Sequence, residues 1–223
     1  MVKLVAFFRR KAGISADAFQ EHWRTRHAEL VLRQAGIRRY VQNHAHASGY
    51  RNRDPLYDGV AEAWFDSTED MRALGSSAEY RAVREDEANF IDPESMGALI
   101  TNEVLIVDGP IPKGGITMIS FLNKREDVSV DFFQRHWREE HGPIAAEIPG
   151  MRRYAQSHVR PGIYAAGRTP LYDGVPLATF DGLDALRHSG STPEYARTRA
   201  DEANFMLSGR LPFVVTEALE IEV

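Results

Sequence analysis

The hydrophobic and polar positions of the chain follow one pattern twice. Each half opens on a short apolar run with β-branched or aromatic residues, 2–8 and then 117–122, which predicts a strand. A serine follows each run (Ser15, Ser129), with an acid two positions later, where the helix dipole favours it. The next large apolar residues recur every three or four positions. Each serine is therefore predicted to cap an amphipathic helix.

The rest of each half predicts three more strands and a second helix. In the first half, residues 38–44 alternate like a strand, and Tyr40, Gln42 and His44 share one of its faces. The further predicted elements are a Tyr-Asp-Gly turn into a strand near 60–65, a helix over about 68–90 broken near 75–77, and last strands at 103–107 and 217–223. The resulting order, βαββαβ, is that of a ferredoxin-like unit.

These elements together predict an α+β fold. A ferredoxin-like sheet carries helices on one face only, so its other face must be covered. Two copies in one chain can cover each other. We therefore predict two tandem ferredoxin-like βαββαβ units that pack sheet-to-sheet as an intramolecular dimeric α/β barrel.

The repeat is visible in identical residues. FQEHWRTRH, from residue 19, returns as FQRHWREEH at an offset of 114, and RRYVQNH, from residue 38, returns as RRYAQSH. At an offset of 115, PLYDGV and DEANF recur unchanged. The stretch DGPIPKGG between the copies is rich in Gly and Pro, as linkers are. The predicted domains are 1–108 and 116–223, joined by 109–115.

Composition narrows the range of functions. The chain of 223 residues carries a net charge of −5, which argues against a nucleic-acid partner. It has no cysteine, which excludes disulfides, thiolate nucleophiles and cysteine-bound metals. No apolar run approaches the roughly 18 residues of a membrane span, and the opening run is too short for a signal peptide. We expect a cytoplasmic protein without a membrane partner.

The repeated motifs resemble those of a known family. The pattern F-x-x-H-W-R-x-x-H, followed by R-R-Y-x-Q-x-H, is similar to the EthD family of dimeric α/β barrels, once per half. This resemblance implies a tandem EthD-type protein, whose relatives include cofactor-free lactone isomerases and polyketide-modifying enzymes. The family helix usually reads W-x-x-x-H-x-P-L. The second copy, WREEHGPIA, keeps the proline and the first, WRTRHAELV, does not, so the two copies need not be equivalent.

Two histidines are the leading catalytic candidates. At 100° per residue, His27 lies at the edge of the apolar stripe that contains Phe19 and Trp23. His141 repeats it in the second copy. A half-buried histidine there could cap helix carbonyls, or it could reach a cavity as a general acid/base. The motif histidine of the resembled family falls on this position, whereas His22, toward the opposite edge of the stripe, receives no role.

A polar strand face supplies further candidates. Its members are Tyr40, Gln42 and His44, repeated as Tyr154, Gln156 and His158. These phenol, amide and imidazole groups could line a cavity, or they could form a hydrogen-bond network between sheets. The tyrosines and histidines are candidate catalytic residues, and the glutamines are candidate substrate ligands.

The remaining repeated groups have both structural and functional interpretations. The other candidate substrate-binding residues are Trp23, Trp137, Tyr57 and Tyr172. The tryptophans also belong to the predicted core, and turn formation explains the Tyr-Asp pairs. The acids of DEANF are expected to pair with arginines of the same helix, namely Arg81 and Arg84 or Arg197 and Arg199.

The leading hypothesis is a cofactor-independent enzyme that acts on a small hydrophobic, oxygenated molecule. A lactone, an aromatic ring-cleavage product or a polyketide would fit, with isomerase, dehydratase, cyclase or decarboxylase chemistry. Proton transfer is assigned to His27 and His141, enolate support to Tyr40 and Tyr154, and a second proton-carrying role to His44 and His158. Each half would have its own pocket between its first helix and its sheet.

Two alternatives stay open. The chain could be a non-catalytic protein that binds a hydrophobic metabolite or assists an oxygenase, or it could bind haem, as other barrels of this shape do. No metal site is expected, because His22 and His27 are five residues apart rather than four. A homodimer could form in addition to the intramolecular pseudo-dimer.

Overall fold

The computed structural model describes residues 1–207, 209 and 211–223. The chain forms two compact units, Met1–Ile100 with Ala218–Val223, and Thr101–Glu217. The predicted linker, 109–115, contains no helix or strand. The repeat boundaries 1–108 and 116–223 stay a prediction, since the two units divide the chain within strands rather than at this linker.

The first unit has the predicted βαββαβ order. Its strands are β1 (Val2–Phe8), β2 (Ile37–Ala45), β3 (Gly59–Phe65) and the start of β4 (Gly97–Val107). Its helices are α1 (Ala16–His22), α2 (Ala28–Leu32), α3 (Thr68–Leu74) and α4 (Ala78–Phe90). A π-helical turn, Trp23–His27, joins α1 to α2, and short 3-10 turns cover Ala47–Tyr50 and Pro93–Ser95.

The second unit repeats this order. Its own strands are β5 (Ile116–Ser120), β6 (Met151–Val159), β7 (Gly174–Phe180) and β8 (Phe213–Ile221). Its helices are α5 (Val130–His136), α6 (Gly142–Ala146), α7 (Pro161–Ala165), α8 (Leu183–Ser189) and α9 (Pro193–Asp201). A second π-helical turn, Trp137–His141, joins α5 to α6, and a 3-10 turn covers Glu202–Asn204.

The sheet topology is antiparallel in both units. In the first, β3 pairs with β1 and β2, and in the second, β7 pairs with β5 and β6. The full hydrogen-bonded order is β1-β3-β2-β8-β5-β7-β6-β4, and it closes as a barrel of eight strands. The predicted α+β class, with tandem ferredoxin-like units in a dimeric α/β barrel, is confirmed.

Aromatic residues fix each first helix on its sheet. The predicted caps are present: Ser15 accepts a hydrogen bond from the amide of Ala18, and Ser129 does the same for Phe132. Trp137 is fully buried, and its indole lies directly over Gly174. A Cβ atom at Gly174 would come within 2.3 Å of that ring, so only glycine allows this close approach.

The boundaries of the last strands differ from the prediction. β4 begins at Gly97 rather than near 103, and β8 begins at Phe213 rather than 217. Alternate positions of β4 face inward, including the polar Thr101, which is fully buried beside the buried Leu99. A polar residue at an inward position lacks the apolar character that marks a strand in the sequence. In the described part of the chain, no helix combines the length and apolar character needed to cross a bilayer.

Candidate active site

The repeated histidines of the first unit meet on one carboxylate. A π-helical turn brings residues five apart to the same face. Nε2 of His22 lies 2.9 Å from Oδ1 of Asp86, and Nδ1 of His27 lies 2.9 Å from its Oδ2. Asp86 belongs to α4 and is almost completely buried. The motif therefore links the π turn to the second helix of the unit.

Two sequence-based interpretations are corrected by this contact. The α-helical spacing of 100° per residue placed His22 and His27 at opposite edges of the stripe, but the π turn removes that separation. The expectation that the DEANF acids pair with arginines holds for Glu87, which binds Arg84. It is wrong for Asp86, whose partners are the two histidines and, at 3.3 Å, Arg26 of the π turn rather than an arginine of its own helix.

The second unit contains the same arrangement. Asp201 receives Nδ1 of His141 at 2.9 Å, Nε2 of His136 at 3.1 Å and the side-chain amide of Asn204 at 2.8 Å. The ring of Phe205 packs beside both imidazoles. Burial acts to raise the pKa of Asp201, but the three hydrogen bonds outweigh it and lower that pKa. Asp201 is therefore a carboxylate at neutral pH.

His141 is a neutral imidazole with a defined tautomer. A carboxylate only accepts hydrogen bonds, so Nδ1 carries the proton toward Asp201 and Nε2 carries the lone pair. Burial lowers the pKa of His141 by more than the hydrogen bond to Asp201 raises it. Among the described residues, Nε2 has no hydrogen-bond partner. It is also not one of the polar atoms that are completely shielded from solvent without a partner. This lone pair can accept a proton.

A chain of hydrogen bonds leads to the hydroxyl of Tyr154. Nε2–H of His158 donates to Oε1 of Gln156 at 2.9 Å. The amide of Gln156 donates to the backbone carbonyl of Trp137 at 2.8 Å and to the Tyr154 oxygen at 3.4 Å. The indole N–H of Trp137 also donates to that oxygen, at 3.2 Å. Two donors therefore point at the phenol oxygen, and its own proton is directed elsewhere.

The first unit repeats this chain through His44, Gln42, Tyr40 and Trp23, with the indole again 3.2 Å from the phenol oxygen. Burial raises the pKa of Tyr40 to about 12, and it raises that of Tyr154 as well. Both phenols are therefore protonated at neutral pH. Each can donate a hydrogen bond to an acceptor oxygen within reach of its hydroxyl.

His44 and His158 pack against the tryptophan rings in a tilted arrangement, at centroid distances of 4.4 and 4.2 Å. Burial lowers the pKa of each to about 3, helped by the charge of a nearby arginine. Both rings are therefore neutral near pH 7, with Nε2–H fixed by the glutamine. Nδ1 of His44 is buried without a partner among the described residues.

The neutral state of His158 predicts an acid sensitivity of folding. Its pKa of about 3 lies below the unfolded value of 6.5, so its contribution to stability is complete above pH 6.5 and is lost as the pH falls toward 3. The loss amounts to about 1.4 kcal/mol per pH unit. Replacing His158 with Gln, which keeps a donor for Gln156, is expected to lower the slope of unfolding free energy against pH by this amount.

Urea unfolding between pH 6.5 and 4.5 measures that slope. Glu87, whose pKa burial raises to about 7, changes stability in the opposite sense, so the variant must be compared with the wild type. His44→Gln is the matched variant of the first unit and is expected to give an equal change. An unaltered slope in both variants contradicts the assignment of buried neutral imidazoles.

A cavity of about 470 Å³ opens in the second unit. Most of its lining residues are apolar, and they come from β5, β6, β7 and β8 and from α6, α8 and α9. Polar groups are added by His141, Tyr154, Arg199 and Glu202. A volume in this range, with apolar walls and a few converging polar groups, is typical of a site for a small molecule.

The structure brings some of the predicted residues to this cavity and not others. Trp137, His141 and Tyr154 line it, whereas Gln156 and His158 stand behind Tyr154. Tyr172 packs on Phe121 at a ring distance of 4.8 Å, as Tyr57 packs on Phe7 in the first unit, outside the lining.

Sequence reasoning missed the acidic partners of the site. Glu202 lines the cavity and forms an ion pair with Arg199 at 2.6 Å. Burial raises the pKa of Glu202, although Arg199 opposes this. Asp201 orients His141 from behind. The available signal was the unchanged DEANF repeat, in which the first two letters are these acids. Helical spacing predicts an arginine partner for both, which is correct for Glu202 and wrong for Asp201.

Comparisons with known proteins agree with the repeat. None of the curated proteins matches the chain in sequence. Among solved structures, an anthrone oxidase-like protein is 10% identical with a TM-score of 0.68, covering 98% of this chain and 92% of its own. A candidate monooxygenase from Lactobacillus acidophilus NCFM is 11% identical, with a TM-score of 0.58 and 99% of both chains covered. A mutant chlorite dismutase from Candidatus Nitrospira defluvii is 9% identical, with a TM-score of 0.54, covering 96% of this chain and 90% of its own.

These likenesses show the fold alone. The family model of the EthD domain, however, matches the sequence itself over residues 11–94 and again over 125–208. The two matched segments contain the histidine–aspartate pairs and the Tyr-Gln-His strands of both units. This protein therefore belongs to the EthD domain family, as a tandem of two EthD domains.

Proposed function

We propose that this protein is a proton-transfer enzyme, of isomerase or lyase type, which acts on a small, largely apolar molecule with a carbonyl oxygen. The site is the cavity of the second unit. The observation that carries the proposal is the His141–Asp201 pair, whose free imidazole nitrogen belongs to a side chain that lines this cavity together with the hydroxyl of Tyr154. The proposal needs no cofactor to balance the reaction.

The base in this proposal is Nε2 of His141. It removes a proton from the carbon next to the carbonyl, and the electrons of that C–H bond form the carbon–carbon double bond of an enolate. The carbonyl electron pair moves to oxygen. Asp201 stabilises the imidazolium through Nδ1–H, as a carboxylate does behind a catalytic histidine.

The hydroxyl of Tyr154 is assigned as the hydrogen-bond donor to the enolate oxygen. Its hydroxyl already accepts hydrogen bonds from Trp137 and Gln156, so its proton is available for donation to the substrate. These two donors fix the phenol in place before substrate arrives. A preorganised donor of this kind stabilises negative charge as it develops in the transition state.

The reaction ends when His141 gives up its proton. Return to the same carbon regenerates the substrate, and return to a conjugated carbon gives an isomer. In a lyase reaction the enolate expels a leaving group, which takes the proton from His141, and the carbonyl is restored. The apolar walls of the cavity favour a hydrophobic body for the substrate. His158, neutral and bound to Gln156, has a positioning role here rather than the proton-carrying role expected from sequence.

The test uses 1-tetralone, a bicyclic aromatic ketone with acidic protons beside its carbonyl. In D2O, the wild-type protein is expected to accelerate exchange of these protons above the buffer rate, as followed by NMR. Tyr154→Phe removes the proposed donor and is expected to lower the protein-catalysed rate by about 100-fold. Tyr40→Phe, the same change in the first unit, controls for general effects of losing a buried hydroxyl.

Three outcomes are informative. Exchange that depends on Tyr154 supports the proposal. Saturable binding of 1-tetralone without any exchange would replace the enzyme with the alternative of a non-catalytic binding protein. A protein that neither binds the ketone nor exchanges its protons contradicts the assignment of the cavity to small carbonyl compounds.

A further inference from the structure

The two units differ in the space around their central tyrosines. Ala145 and Ser189 line the cavity of the second unit. The repeat places Val31 and Leu74 at the same positions of the first unit, at offsets of 114 and 115. Valine and leucine each have two more non-hydrogen side-chain atoms than alanine and serine. The first unit therefore has more side-chain volume at these positions.

These larger side chains are packed into the interior. Val31 and Leu74 are 6% and 8% exposed, and they share one buried hydrophobic cluster with Tyr40 and Val83. In the second unit, the counterpart of Val83 is Thr198, which lines the cavity. In the first unit these three positions carry apolar side chains that pack around Tyr40. In the second unit the residues at the same three positions line the cavity beside Tyr154.

The hydrogen-bonding groups of the two units do not differ in this way. The imidazole–carboxylate distance is 2.9 Å for both His27 and His141. The indole–phenol distance is 3.2 Å in both units. At these two contacts the copies therefore have the same geometry, although Asp86 also pairs with Arg26 at 3.3 Å, whereas Asp201 accepts from Asn204 at 2.8 Å. The side chains that surround the tyrosines differ more, because those of the first unit are larger at the matching positions.

We propose that the two EthD domains have divided their roles. Ala145 and Ser189 hold open the ligand chamber of the second domain and set the size of the molecule that it admits. Val31 and Leu74 fill the corresponding volume of the first domain. The chemistry of the ligand rests on the proposed function, whereas the division of space is tested without it.

Ser189 provides room rather than a ligand contact. Its hydroxyl donates to the backbone carbonyl of Leu186 at 2.8 Å, within α8. Replacing it with leucine removes this bond, which is worth about 1 kcal/mol, and adds apolar atoms toward the cavity. Ala145 is 3% exposed on α6, where valine is already accepted by the first domain at the matching position. The protein with both substitutions is therefore expected to fold.

Xenon locates open apolar space without any assumption about the substrate, because it occupies cavities lined by apolar side chains. Crystals of three proteins are pressurised with xenon: the wild type, Ala145→Val with Ser189→Leu, and Val31→Ala with Leu74→Ser. The wild type is expected to show a xenon site beside Tyr154. The first variant is expected to lose it, and the second variant is expected to keep it and gain a site beside Tyr40.

Calorimetric titration measures the affinity of the same proteins for 1-tetralone. The variant with Ala145→Val and Ser189→Leu, here called the filled variant, is expected to bind at least tenfold more weakly than the wild type. The pH titration of His141, followed by NMR, is expected to be unchanged. A xenon site that persists in the filled variant, equal xenon sites in both domains of the wild type, or no xenon beside Tyr154 in the wild type would each overturn the division of roles.

The experiments distinguish a failure of the proposed function from a failure of the division of roles. If xenon follows the expected pattern and the wild type does not exchange the protons of 1-tetralone, the division of space stands and the enzymatic role is wrong. If exchange proceeds in the filled variant at the wild-type rate, Ala145 and Ser189 do not determine what the site admits, and the inference is wrong while the enzymatic role stands.

Discussion

Replacing Lys3 with methionine is expected to destabilise the protein by about 3–5 kcal/mol, a large share of the 5–15 kcal/mol typical of folded domains. Lys3 is 1% exposed and forms an ion pair with Glu62, which is 5% exposed. The amide of Asn43 donates to Glu62 at 2.8 Å, and the Lys3 ammonium lies 4.8 Å from the ring centroid of Trp64. Removing the ammonium leaves a buried carboxylate without its countercharge.

The double replacement Lys3→Met with Glu62→Leu is the matched control. Removing both charges leaves apolar atoms in place of the pair, which is commonly neutral or stabilising. The second unit already has uncharged residues, Thr117 and Leu177, at the corresponding positions. Urea unfolding at pH 7 should therefore show a large loss for the single variant and recovery for the double variant. A single variant as stable as the wild type contradicts the cost assigned to the lone carboxylate.

Replacing His141 with glutamine is expected to lower the exchange rate of 1-tetralone by at least 100-fold, the usual contribution of a general base. Glutamine can still donate to Asp201, but it has no basic nitrogen to offer the cavity. His27→Gln in the first unit changes the same kind of contact with Asp86 and is expected to leave the rate within about twofold, because the larger Val31 and Leu74 pack around Tyr40 there.

The pH profile separates a base from a structural group. Burial lowers the pKa of His141 below its ordinary 6.5, so the imidazole is neutral above that pH and the exchange rate should be level there. The rate should decline only as the pH falls through the lowered pKa, because protonated imidazole cannot accept a proton. A His141→Gln protein with wild-type activity, or equal losses in both variants, contradicts the assignment to the second unit.

Most of the fold could be predicted from the sequence because its signals are local. The βαββαβ units are defined by serine caps at Ser15 and Ser129, by short runs of strand-forming residues and by the repeated motifs. A sheet with helices on one face needs a second layer over its other face, which predicts the pairing of the two units. The buried Thr101 shows where this reasoning fails. Its polar side chain occupies an inward position of β4, and the predicted strand begins after it, whereas the observed strand begins at Gly97.

The site was predicted only in part because its geometry depends on two features that no local pattern encodes. The π turns Trp23–His27 and Trp137–His141 change the face on which the histidines lie, so their shared aspartates were assigned elsewhere. The cavity depends on small residues, Ala145 and Ser189, whose meaning appears only when α6 and α8 are packed beside Tyr154.

A crystal structure with 6-bromo-1-tetralone, whose bromine gives an anomalous signal, tests directly whether His141 and Tyr154 bind a carbonyl compound. We expect one ligand in the cavity of the second unit, with its carbonyl oxygen within hydrogen-bond distance of the Tyr154 hydroxyl and its adjacent carbon near Nε2 of His141. Bromine found beside Tyr40 instead, or a ligand in the cavity whose carbonyl faces away from Tyr154 and His141, would contradict this expectation.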